Sequence, residues 1–165
     1  MKKLACIILI VLITGSMVSC YFPGYKLKPG DKIGATEFSN NYELCPAPNF
    51  SDICGFPALV DGSCEIPASM TQFWVSIGWA EDTMEDLELT WLDSKWNMTF
   101  DGYKVDLPAF GTFDMDLEGQ KARVWNVCVS NLAPGKHTVV YEYYFENGMR
   151  RGNHTDTFIF SVIAE

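Results

Sequence analysis

The side chains able to do chemistry are few and scattered. The chain has two histidines, His137 and His154. His137 closes the turn Leu132-Ala133-Pro134-Gly135-Lys136-His137, just ahead of an alternating apolar run, so its ring is expected to hydrogen-bond the turn backbone. His154 falls in the polar stretch GMRRGNHTD and is expected to be exposed. No G-x-S-x-G, H-E-x-x-H or Gly-rich phosphate loop is present. Acids number 21, but a paired-carboxylate hydrolase needs two of them to converge in space, and their spacing indicates no such pair. The expectation is a protein that is not an enzyme and needs no cofactor, with a secreted hydrolase as the weakest alternative.

Binding chemistry has better candidates. Five tryptophans are present, at 74, 79, 91, 96 and 125. If some, such as Trp74 and Trp96, face outward on a sheet, a carbohydrate-binding module stacking sugar rings on flat π-surfaces is a second reading. The alternative is that all five fill the core and sheet edges. Met149, Arg150 and Arg151 form a third candidate, at the tip of a hairpin where recognition loops sit and where arginines can grip a partner's carboxylates. Asp114-Met115-Asp116-Leu117-Glu118-Gly119 resembles the opening of an EF-hand loop, but the required glutamate position falls on Trp125. No metal site is therefore expected; a looser calcium loop through Asp114, Asp116 and Glu118 stands against a solvated acidic hairpin.

Four cysteines, Cys45, Cys54, Cys64 and Cys128, read as two disulfides, since no CxxC pair or neighbouring histidine suggests zinc. Three pairings are possible. The expected one joins Cys45 to Cys54 around the loop CPAPNFSDIC and Cys64 to Cys128, stabilising by about 2.7 and about 4 kcal/mol on loop-closure entropy.

At the N-terminus, Lys2 and Lys3 precede an apolar run from Leu4 to Thr14 that is too short for a bilayer and fits the h-region of an export signal. Met17-Val18-Ser19-Cys20 then resembles the lipobox of bacterial lipoproteins, with Met17 where leucine is usual. The resemblance implies cleavage after Ser19, lipidation of Cys20 and an extracytoplasmic domain held to the cell membrane by two or more acyl chains. Losing residues 1–19 moves the formal charge from −9 to −11. So acidic a surface argues against nucleic acid as a partner and leaves a protein or glycan of the envelope.

Behind these residues stand the elements that position them. Residues 20–30 read as the lipidated cysteine and a short tether, 31–64 as a lead strand (32–38) and a cysteine-held loop region, and 65–165 as a sandwich, with 31–165 one folded unit. Phe73, Val75, Ile77 and Trp79 alternate inward, as do Trp125, Val127 and Val129, and Val139, Tyr141, Tyr143 and Phe145. Asp101-Gly102 signals a type I′ hairpin between strands at 96–100 and 103–107. Residues 87–91 read as a short strand and 157–163 as the last one. The turn LAPGKHT, its alternating strand, a polar loop and TFIFSVI resemble the last hairpin of immunoglobulin-like and fibronectin-like domains on bacterial surface proteins. That resemblance implies an all-β, antiparallel immunoglobulin-like β-sandwich of about seven strands behind a cleaved lipoprotein signal peptide. It implies no particular activity. The leading expectation is a non-enzymatic protein-interaction or structural domain.

Overall fold

The computed structural model describes residues 24–163 apart from positions 42, 44, 46, 47, 71 and 149. The export signal, the lipidated Cys20 and the candidate binding residue Met149 lie outside the described residues. Among those described, two five-stranded sheets make a β-sandwich. The first contains β1 (Lys32–Ile33), β2 (Thr36–Ser39), β4 (Gln72–Glu81), β7 (Thr112–Leu117) and β8 (Gln120–Ser130). Its centre is β8, which pairs with β4 along one edge and with β2 and then β7 along the other. The second runs β3 (Cys64–Pro67), β10 (Gly152–Ile163), β9 (Gly135–Phe145), β5 (Ser94–Phe100) and β6 (Tyr103–Lys104).

Alternation sets the inner faces as expected. Phe73, Val75 and Ile77 of β4 and Trp125, Val127 and Val129 of β8 are buried, opposite Val139, Tyr141 and Phe145 of β9 and Phe158, Phe160 and Val162 of β10. Edge-to-face contacts join the sheets, Phe73 to Phe160 at 5.5 Å and Phe38 to Phe100 at 5.3 Å between ring centroids. The Asp101-Gly102 hairpin forms between β5 and β6, with φ of 49° and 81° as a type I′ turn requires.

Several expectations are corrected. The described residues form ten strands rather than about seven, and β3 runs parallel to β10, so the sandwich is not wholly antiparallel. The lead strand at 32–38 is instead the hairpin β1–β2, folded at Gly34, where φ is 61°. Residues 87–91 are not a strand but part of helix α3 (Met84–Leu92). Thr83 caps that helix by accepting from the Asp86 N–H at 3.1 Å, and Leu87 and Trp91, one turn apart, share its inward face. The loop region before β3 contains helices α1 (Phe50–Cys54) and α2 (Phe56–Asp61), and α4 (Leu107–Phe110) follows β6. Leu27, expected within the tether over 20–30, is 1% exposed. Its N–H donates to Lys104 O and its carbonyl accepts from Asp106, both at 2.8 Å.

The cysteines pair as Cys45–Cys128 and Cys54–Cys64, not as expected. The short bond staples α1 to β3. The long one pins Cys45 to the outer face of the first sheet, where Cys128 of β8 points because Val127 and Val129 take the core side.

Candidate functional site

The structure separates the residues singled out in the sequence. Trp74 is 9% exposed and packs with Cys45 and Cys128 on the outer face of the first sheet. Its indole N–H donates to Cys45 O at 2.9 Å, so it anchors the disulfide segment and offers no ring to a sugar. Trp96 faces the other way, into an aromatic cluster at one end of the sandwich. There register brings Trp96 of β5, Tyr143 of β9 and His154 of β10 into one cross-strand row. Their rings stack at 5.3 and 5.0 Å, with Trp91 of α3 stacked on Trp96 at 5.7 Å. Trp125 closes on Trp91 at 4.5 Å. A flat, exposed tryptophan platform is therefore not what these residues form; four of the five pack on one another.

Arg150 joins this cluster from outside. Its guanidinium lies 4.7 Å over the Trp79 ring, and Trp79 in turn packs on Phe145 at 4.7 Å. Arg151 is exposed on the same tip. His154, expected in solvent, is half-buried, stacked on Tyr143 and bonded through Nε2 to Arg150 O at 2.7 Å.

His137 behaves as the turn residue the sequence suggests, with an added partner. Nε2 meets Ala133 O at 2.8 Å and Nδ1 meets Asp101 Oδ2 at 2.7 Å. Both partners are acceptors, so both ring nitrogens must carry protons, and the bond to Asp101 raises the imidazole above its ordinary 6.5. Asp101 also accepts from the Thr138 N–H at 2.8 Å. Nδ1 thus locks the β5–β6 hairpin to β9, and Nε2 holds the turn that leads into β9.

The acidic hairpin holds cations of the chain itself. Arg123 of β8 makes two forked ion pairs, with Asp114 of β7 at 2.6 and 2.8 Å and with Glu88 of α3 at 2.7 and 3.1 Å. Its guanidinium also lies 5.6 Å from the Trp91 ring. These hydrogen bonds lower both carboxyls below the usual carboxylate range and raise Arg123 further. Asp116 pairs with Lys121. Among the described residues no group of three His, Cys, Asp or Glu side chains is placed to hold a metal.

With its acids turned toward Arg123 and Lys121, β7 must turn its other side out. Phe113, Met115 and Leu117 are 46%, 38% and 47% exposed. Register sets Phe113 beside Val124 and Met115 beside Ala122, with Gly78 across from Val124 and Ala80 across from Ala122 on β4. The result is an apolar strip on the outer face of the first sheet. It continues into a groove of about 630 Å³ that wraps the edge of β4 from Leu117, over Gly78 and Ala80, to Trp79, Phe145 and Arg150. Sequence reasoning found Arg150 and missed the strip. The alternation in TFDMDL was its signal, but alternation does not say which side faces out.

Gly78 keeps the floor low. A Cβ there would lie 2.1 Å from Arg123 O and 2.7 Å from Val124 Cα, so no side chain fits between β4 and β8 at this point. No protein-family model matches the chain, and no curated protein matches it.

Proposed function

We propose that the protein is a lipid-anchored, extracytoplasmic immunoglobulin-like domain that binds another protein and carries out no reaction. The observation that carries this reading is the exposed apolar strip Phe113–Met115–Leu117 running into the groove at the β4 edge. Contiguous exposed apolar surface rimmed by polar groups marks interaction sites. The immunoglobulin-like assignment is supported by strand order: β4, β8 and β7 in one sheet against β5, β9 and β10 in the other, with β6 beside β5. The cysteines depart from the antibody pattern, because neither disulfide joins β4 to β9. The anchor rests on the resemblance of residues 17–20 to a lipobox. Against a sugar platform stands the packing of Trp74 and Trp96; against catalysis stands the engagement of both nitrogens of His137.

The test is photo-crosslinking in cells. A benzophenone amino acid replacing Met115 or Leu117 is expected to give a discrete protein adduct, whereas the same probe replacing Lys95, on the outer face of the other sheet, is not. Equal labelling from all three positions, or none from the strip, sinks the reading. Mass spectrometry of the native protein tests the anchor: a mature chain starting at diacylated Cys20 is expected, and an intact Met1 overturns it.

A further inference from the structure

The edge of β4 carries a more specific message. The Trp74 N–H points away from β8 and donates to Pro48 O at 3.1 Å, and Asn49 bridges Trp74 in parallel. Register between β4 and β8 is unbroken from Gln72↔Ser130 to Glu81↔Lys121, so alternate residues aim their backbone the same way. The N–H and C=O of Gly78 and Ala80 therefore point to that outer edge. Among the described residues no group meets them there; β4 has one strand neighbour, β8. Sandwich edges are ordinarily blunted by lysine, proline or a bulge. This stretch has glycine and alanine instead.

Resting on the interaction reading above, we propose that the partner engages by strand addition: an extended segment of another protein pairs with β4 at Gly78–Ala80 as a sixth strand of the first sheet. Its side chains on one face would extend the apolar floor of Ala80, Ala122 and Leu117. Those on the other would meet Trp79, Phe145 and the Arg150 guanidinium. Consecutive residues of a strand alternate faces, so apolar residues fill the first and the intervening ones meet the second, which also holds Glu81. Charge fixes the remaining chemistry. β4 ends at Glu81, followed by Asp82, and Asp116 and Glu118 stand at the neighbouring β7–β8 end. Lys121 pairs with Asp116, while Glu81 accepts from the neutral donors Trp79 and Thr90, and Asp82 from Gln120. On a chain of net charge −9, that end of the groove calls for Lys or Arg in the incoming strand.

The experiment is amide hydrogen exchange by NMR on the purified protein. The probe is a synthetic decapeptide alternating Val and Lys, compared with a Val/Glu peptide and with a Val/Lys peptide N-methylated at alternate residues. Saturating Val/Lys peptide is expected to slow exchange at Gly78 and Ala80 at least tenfold. The Val/Glu peptide should bind about fivefold more weakly for each lysine–carboxylate pair it fails to form, a difference that salt removes. N-methylation, which deletes the donors of one edge, should abolish the protection with wild-type protein. Ala80→Pro, which removes an N–H that β8 does not use, should abolish it too. No protection at Gly78 and Ala80 at saturation overturns the proposal. So does protection that appears with rising protein concentration and no peptide, which would assign the edge to a second copy of the chain. If crosslinks from Met115 and Leu117 persist in Ala80→Pro, strand addition falls while the interaction face stands. If those crosslinks never form in the wild type, the functional reading itself falls.

Discussion

The disulfide pairing makes the sharpest quantitative claim. Cys45–Cys128 closes a loop of 83 residues and Cys54–Cys64 one of 10. On chain entropy the first stabilises by about 4.5 kcal/mol and the second by about 2.7 kcal/mol. Cys45 and Cys128 are also buried against Trp74, so truncating them removes packing as well as a crosslink. The double variant Cys45→Ala/Cys128→Ala should therefore lose about 2 kcal/mol more than Cys54→Ala/Cys64→Ala in urea unfolding. It should also unfold with the larger m-value, because its denatured chain expands more. Thiol titration of the unfolded variants gives an independent check. With the observed pairing each double variant keeps one intact disulfide and exposes no thiol from these four positions. With Cys45 joined to Cys54, each would expose two. Two extra thiols, or a greater loss from the 54/64 variant, would refute the reasoning.

Three further outcomes are expected. Gly78→Ala forces a methyl group against the backbone of β8, and should cost about 3 kcal/mol in thermal or urea unfolding; a neutral result would show that β4 and β8 separate freely. The stability contributed by His137 is fully present below pH 6.5 and is lost as pH rises through the raised value of the folded state. Urea midpoints should accordingly fall on the alkaline side of pH 6.5, and Asp101→Asn should flatten the profile and lower the His137 pKa in an NMR titration. Arg123→Met leaves Asp114 and Glu88 without their cation, so amide exchange in β7 should accelerate about tenfold or more while the β9–β10 amides stay protected.

Much of the sandwich is legible in the chain. The alternation of 73–79, 125–129 and 139–145 sets the inner faces, because one residue of slip would turn every core side chain into water. Asp101-Gly102 is equally direct, since few dipeptides accept two positive φ values. The failures share a cause. Leu87, Leu89 and Trp91 satisfy a period of two as well as Leu87 and Trp91 satisfy a helical turn; Thr83 with Asp86 was the deciding signal. In Trp74 a tryptophan on the outward parity is buried by a segment 29 residues earlier, which no local pattern reports. Cysteine pairing and the open β4 edge are likewise properties of distant neighbours.

The strand β7 shows why such a surface can exist without being a fault. Its apolar residues face water because its acids have a better use: Asp114 shares with Glu88 of α3 one arginine that is largely sheltered from solvent. Shifting β7 by one residue would leave Arg123 facing an apolar side chain in place of a carboxylate, and since every position of β7 is exposed the slip would bury nothing in return. The register that exposes the strip is thus held by a doubly forked ion pair, and Gly78 holds the floor beside it by leaving no room for a side chain. An apolar face held open by two independent constraints is maintained by the fold itself, so weakening either one should damage partner capture and stability together.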